Sequence, residues 1–168
     1  MEEIVNKVAQ SGLISFDLEK YYPKGERALI DIKENLWQGI ALKEKDFRSF
    51  IKENDWSAYQ DKYVAVICSE DAIIPTWAYM LVTSALNEFA KKVVFGSLED
   101  LENEILIEVI NNIDISEFED KRVIVKGCSN LPIPTNSYVK LTEKMLPVVK
   151  TLMFGEACSS VPLYKKKK

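Results

Sequence analysis

"YVAVIC", residues 63–68, is a run of β-favouring apolar residues with almost no alternation. A strand with one wet face alternates, whereas a run like this suits a strand covered on both faces, as in a parallel sheet. Parallel neighbours need crossover connections, and the following residues supply one. Ala78, Leu81, Val82, Ala85, Leu86 and Phe89 recur at helical spacing. The alternation continues with "KVVFG" as a strand, "SLEDLENEILIEVINN" as a helix, "RVIVKGC" as a strand, "TNSYVKLTEKML" as a helix and "VVKTLMFG" as a fourth strand. Ser97 is placed to cap the second of these helices, with Asp100 three residues on. Pro147 stops the third, since proline lacks the N–H needed to continue it. Thr76 and Thr135, each after a proline, read as helix caps. The expected fold is α/β: a mostly parallel, doubly wound, three-layer sheet of about four strands.

Residues 1–61 read differently. "LISFDLEKYY" and "ERALIDIK" partly alternate, and "YYPKGE" between them carries turn residues, which predicts an antiparallel β-hairpin at the N-terminus. "LWQGIAL" reads as a third strand. "KEKDFRSFIKEN" places Phe47, Phe50 and Ile51 on one helical face, ahead of Trp56 and Tyr59. A chain of 168 residues with 47% hydrophobic content has enough apolar side chain for one well-filled core. The expectation is a single domain, 1–168, made of the 1–61 subregion, a 62–164 βαβαβαβ core and a basic tail at 165–168. Within the core, "YVAVICSEDAIIPTWAY" and "RVIVKGCSNLPIPTNSY" resemble each other, and each leads to a strand ending in Phe-Gly. This is an approximate internal repeat, open to common ancestry or to convergence of similar turns.

The net charge of −4 argues against a nucleic-acid surface, which needs a clustered basic face. Lys165 to Lys168 form the one basic cluster, expected to be a solvated, disordered end. No apolar run reaches membrane-spanning length, and "MEEIVNKVAQ" lacks the basic-then-apolar order of a signal peptide, so a cytoplasmic protein without membrane contact is expected. No glycine-rich loop follows a strand, so no nucleotide is expected. Histidine is absent. That removes Ser-His-Asp and Cys-His couples and leaves carboxylates, lysines, tyrosines and thiols for any proton transfer.

Three cysteines in a reducing compartment are core residues, reactive thiols or metal ligands. Cys68 and Cys128 fall at strand ends and Cys158 lies in "GEACSSVP", three residues past a strand-ending glycine. In a parallel sheet those ends share the edge where ligands bind. Each cysteine precedes a serine, Ser69, Ser129 or Ser159, whose hydroxyl or amide can stabilise thiolate charge. Converging thiolates suit zinc or an iron–sulfur cluster, with Glu156 as one candidate for a fourth ligand. Cys158, the least core-like, is also a candidate catalytic thiol. Glu70 and Asp71 read as solvated loop carboxylates, and Tyr79 and Tyr138, one helical turn beyond the prolines, read equally as residues reaching the edge or as packing residues.

The blocks "FDLEKYYPKGER", "LKEKDFRSFI", "DKYVAVICSEDAIIPTWAYML", "KKVVFG" and "FGEACSSVPLYK" resemble the uncharacterised family domain of unknown function 2480 across nearly the whole chain, Cys-Ser positions included. The resemblance implies no activity. It implies a context near iron–sulfur assembly proteins. The function expected first is therefore a metal- or cluster-binding accessory protein of iron–sulfur metabolism. A thiol enzyme or persulfide carrier centred on Cys158 and a non-catalytic protein-binding module are the alternatives, with enzymatic activity and oligomeric state left open.

Overall fold

The buried runs do form parallel strands, but in two sheets. The computed structural model describes residues 12–127 and 129–167. In chain order the elements are β1 (Leu13–Phe16), β2 (Arg27–Asp31), α1 (Glu44–Glu53), β3 (Tyr63–Ile67), α2 (Thr76–Leu86), β4 (Lys92–Phe95), α3 (Leu98–Asn112), β5 (Arg122–Val125), α4 (Thr135–Met145), β6 (Thr151–Glu156) and β7 (Ser159–Lys165). One sheet has the order β2-β3-β4 and the other β1-β5-β6-β7. All pairs are parallel except β6 with β7. The chain divides into a central unit, Lys24–Glu104, and a terminal unit made of the residues up to Pro23 and those from Ile105 onward.

The expected N-terminal hairpin is therefore corrected. β1 pairs with β5 and β2 with β3, so the two N-terminal strands do not pair with each other. Each stops at an aspartate whose side chain accepts the amide two residues on. Glu19 donates to Asp17 and Lys33 to Asp31, both at 3.1 Å, opening a short 3-10 turn at Leu18–Tyr21 and at Ile32–Asn35. These turns lead the chain away from the strand direction before a hairpin can close. The partner must then be distant in sequence. The expected single sheet is corrected for the same reason: Phe16 and Leu18 join one apolar cluster, with Val123, Val125, Leu141 and Leu152, whereas Ile30 and Ile32 join another, with Phe47, Val64, Val66 and Val82.

The repeat extends through both units at a constant spacing of 59 residues, from Tyr63 to Arg122 and from Gly96 to Gly155. Tyr63 pairs with Lys92 as Arg122 pairs with Thr151. Pro75 and Pro134 sit at the N-cap positions of α2 and α4 without a side-chain cap bond. Thr76 and Thr135 are thus first helical residues and not the caps expected, because the preceding prolines already hold the chain in the extended conformation of a helix entry. Thr83 donates to the Tyr79 carbonyl at 2.8 Å, and Thr142 to that of Tyr138 at 2.7 Å. Asp61 and Asp120 both take positive φ, 59° and 53°. Each unit is built as strand, 3-10 turn, helix, 3-10 turn, strand, helix, strand, with β7 added in the terminal unit.

Three further expectations change. "LWQGIAL" is a tight turn, with single bridges from Ala41 to Trp37 and to Ile73. The fourth core strand runs past Gly155 to Glu156 and turns back as β7, because Gly155 has the φ of 115° and the missing Cβ that the approach of the Ser159 carbonyl requires. The basic tail is held where it is described: Lys165 ends β7, the Lys166 amide donates to the Lys150 carbonyl at 2.9 Å, and its ammonium meets Asp120 at 2.7 Å. Lys168 lies outside the described residues. The α3 capping box is present, with the Asp100 amide donating to Ser97 Oγ at 3.2 Å and the Ser97 amide to Asp100 Oδ2 at 2.7 Å.

Inside the central unit, Arg27 at the start of β2 forms a forked pair with Glu102 of α3, at 2.7 and 3.3 Å, with little side-chain exposure on either partner. A half-buried, doubly hydrogen-bonded pair tolerates loss of one partner badly, since the other charge stays desolvated. Glu102→Ala should lower the unfolding free energy by about 3 kcal/mol, read as a fall in the urea midpoint, while Ser97→Ala should lower it by about 1 kcal/mol.

Candidate functional site

The carboxyl ends of β2, β3 and β4 define one edge of the central unit, and the residues there come from the loops that follow each strand. Asp31 ends β2 and reaches across to the loop after β3, accepting the Ser69 amide at 3.1 Å. Burial pushes the Asp31 carboxyl up, but the Ser69 hydroxyl and amide and the Lys33 amide outweigh it and hold the group below the usual carboxylate range. Cys68 is half-buried beside it, its thiol directed at the Glu70 carbonyl of its own loop at 3.7 Å. Burial, with the neighbouring Cys68 and Asp31, pushes the Tyr79 hydroxyl up.

The terminal unit repeats this device with another carboxylate. Glu19 accepts the Asn130 amide, and the Ser129 hydroxyl and the Asn130 amide hold it below its ordinary range. Asp17 pairs with Lys126 at 3.5 Å. In both units the loop leaving the second strand is tied by a carboxylate from the segment after the first. The Ser69 and Asn130 amides are thereby satisfied from within the chain.

Ser69 and Ser129 thus engage carboxylates. Ser159 opens β7 opposite Glu156, the last residue of β6. Cys158 is exposed in the two-residue turn between β6 and β7, at the carboxyl end of β6. Cys128 lies outside the described residues. The constant spacing matches Cys68 with Gly127, one residue short of Cys128, so the two Cys-Ser pairs are out of step within the repeat. Among the described residues no group of three or more Cys, Asp or Glu is arranged to hold a metal ion. No described helix is long and apolar enough to cross a membrane.

Two apolar features flank the Asp31 and Cys68 loops. In the first, Trp37 to Ala41 form a tight turn: the Trp37 amide donates to the Ala41 carbonyl at 2.8 Å and the Ile40 amide to that of Trp37 at 3.2 Å. Gln38 and Gly39 take φ of 51° and 72° at its tip, the left-handed pair such a turn demands. The loop after β3 joins it through a 3.2 Å bond from the Ile73 amide to the Ile40 carbonyl. Trp37, Ile40 and Ile73 are 44%, 56% and 83% exposed. Lys43 lies over the Trp37 ring, 4.2 Å from its centroid. The second feature is a groove of about 560 Å³ lined by Thr76, Tyr79, Met80, Thr83, Ser84 and Phe95. Asp31 and the exposed turn were not singled out in the sequence; an aspartate ending an apolar run, and Gln-Gly within "LWQGIAL", were the signals available.

The fold and this edge define a two-unit α/β protein built on an internal repeat, with a hydrogen-bonded, partly apolar loop face. The family described as "Protein of unknown function (DUF2480)" matches residues 2–166, and the chain belongs to it. No curated protein and no solved structure matches.

The lowered carboxyls of Asp31 and Glu19 set an acid sensitivity. A carboxyl held lower in the folded state than its unfolded value of about 4 contributes stability above that value and loses it as pH falls through the folded pKa. Protection of the Ser69 and Asn130 amides against hydrogen exchange, measured relative to global stability, should be full at neutral pH and fall below about pH 4. Asp31→Asn should weaken Ser69 protection at neutral pH and flatten its pH dependence while leaving Asn130 unchanged.

Proposed function

We propose that the chain is a protein-docking module whose binding face is the carboxyl edge of the central unit, at Trp37, Ile40 and Ile73. The observation that carries this reading is an exposed apolar triad on a backbone fixed by its own hydrogen bonds. A backbone held this way loses little conformational entropy on binding, and its apolar side chains gain by leaving water. Trp37 under Lys43 is suited to be the anchor, with the lysine at its rim. The matching partner is a protein with an apolar pocket bordered by carboxylates.

A second reading is supported by the exposure of Cys158 at the hairpin turn, open to a substrate, a metal or another protein. In it Cys158 acts as a thiol nucleophile or persulfide carrier, or joins Cys68 and Cys128 as a soft ligand of zinc or an iron–sulfur cluster, with iron–sulfur assembly proteins as partners. A cytoplasmic location belongs to both readings as a proposal.

The two separate cleanly. In a quantitative pull-down from the native host, Ile73→Asp should reduce recovery of the bound partner at least about tenfold, whereas the triple Cys68→Ser, Cys128→Ser, Cys158→Ser variant should recover it like the parent. Equal recovery by the parent and Ile73→Asp would end the docking reading. Stoichiometric zinc, or iron with sulfide, in tag-free protein purified without oxygen and lost from the triple variant would favour the cysteine reading.

A further inference from the structure

We propose that β4 pairs antiparallel with β4 of a second copy of this chain, joining two central sheets across a two-fold axis. The argument comes from the internal repeat. β4 and β6 occupy the same place in their units: each is the third strand in a parallel order, each has Phe-Gly at the matching position near its carboxyl end, and each phenylalanine packs edge-on against the tyrosine of the preceding helix, Tyr79 with Phe95 and Tyr138 with Phe154. In the terminal unit an antiparallel strand, β7, covers the outer edge, placing Val161 opposite Phe154. In the central unit no described strand pairs with the outer edge of β4. Phe154 is half-buried, whereas Phe95 is 67% exposed, with Met80 at 64% on the groove beside it. What β7 covers in one unit has no strand over it among the described residues of the other.

The backbone is set for such a partner. The Gly96 amide donates to Val66 of β3 at 3.0 Å, so by the two-residue alternation Val94 also faces β3, while Val93 and Phe95 turn their N–H and C=O groups outward. Lys150, the counterpart of Lys91, likewise uses its outward carbonyl to accept the Lys166 amide. The outer strand of the terminal unit carries safeguards against further pairing, with Pro162 in β7 and a register shift opposite it between Leu152 and Met153. β4 has neither.

A second copy fits because "KVVF" is complementary to itself. With the two-fold axis at Val94, Val94 faces Val94 as a close, non-hydrogen-bonded pair, Val93 exchanges hydrogen bonds with Phe95, and Lys92 lies opposite Gly96. No like charges oppose each other. The pairing of Val93 with Phe95 repeats, across two chains, the aliphatic–aromatic pair that Val161 and Phe154 form within one. Isologous two-fold contacts of this kind are the commonest route to a soluble dimer.

Sedimentation of the full chain from low to several hundred micromolar should show a dimer in equilibrium with monomer. Phe95→Pro removes an outward N–H without breaking a bond to β3 and should sediment as monomer with unchanged far-ultraviolet circular dichroism. Phe95→Ala should raise the dimer dissociation constant about tenfold. On the cysteine-free background of the triple serine variant, Val94→Cys should form an intermolecular disulfide under a mild oxidant, since the paired Cα atoms lie about 4.5 Å apart, and Lys45→Cys should not. A parent that remains monomeric throughout, or a dimer that persists in Phe95→Pro, overturns the proposal. So does a Val94→Cys chain that cross-links no faster than Lys45→Cys, which decides the matter even if Phe95→Pro fails to fold. Ile73→Asp should leave the dimer intact, so this pairing and the docking face stand or fall separately.

Discussion

An aspartate that bonds the backbone of its own turn governs how this chain pairs. Asp17 follows β1 and Asp31 ends β2, and each satisfies an amide that would otherwise need a strand partner or water. The strand ends there because the side chain offers the backbone a competing bond, as short polar side chains do at turns. Once a tight hairpin is denied, a short apolar strand must find a partner from far along the chain, and the pairs that form are parallel. Asp31 takes the argument further: by accepting the Ser69 amide it also positions the loop that leads into α2. A single carboxylate thus links strand termination, sheet topology and the placement of the edge where exposed side chains gather.

The elements themselves were legible because buried parallel strands and amphipathic helices leave strong periodic signals. Val64 to Val66 and Val123 to Val125 are nearly inaccessible on both faces, as their unbroken apolar runs implied. Their division between two sheets was not legible. Both units use the same signature, and periodicity reports which side of a strand is dry without saying which neighbour dries it. β7 was hidden for a different reason. Pro162 and the paired serines at 159 and 160 read as loop chemistry, yet an outer strand tolerates proline where no partner awaits its N–H. Its lysine end read as a solvated tail because the ion pair with Asp120 joins residues far apart in the sequence.

At the site, the serine after each cysteine was visible, but its physical role was not. Two of these serines serve carboxylates, Asp31 and Glu19, that come from segments more than a whole helix away in the chain. The exposed turn was misread because Leu36, Trp37, Ile40 and Leu42 give a strand-like composition, whereas the left-handed geometry at Gln38 and Gly39 folds those residues back on themselves. Composition reports which side chains are apolar; a backbone conformation that only a few residues tolerate decides where they point.

The division of the units has a consequence for synthesis of the chain. The central unit is continuous, and all three of its strands have left the ribosome once Glu104 has emerged. The terminal unit is interrupted by it, so β1, made before the central unit, lacks its β5 partner until Arg122–Val125 appears. Closing that long loop carries an entropic cost that grows slowly with length, and the preformed central unit shortens the flexible part of it. A nascent chain therefore carries Leu13–Phe16 without its β5 partner for as long as the central unit takes to emerge, a strand translated before that unit and paired only after it.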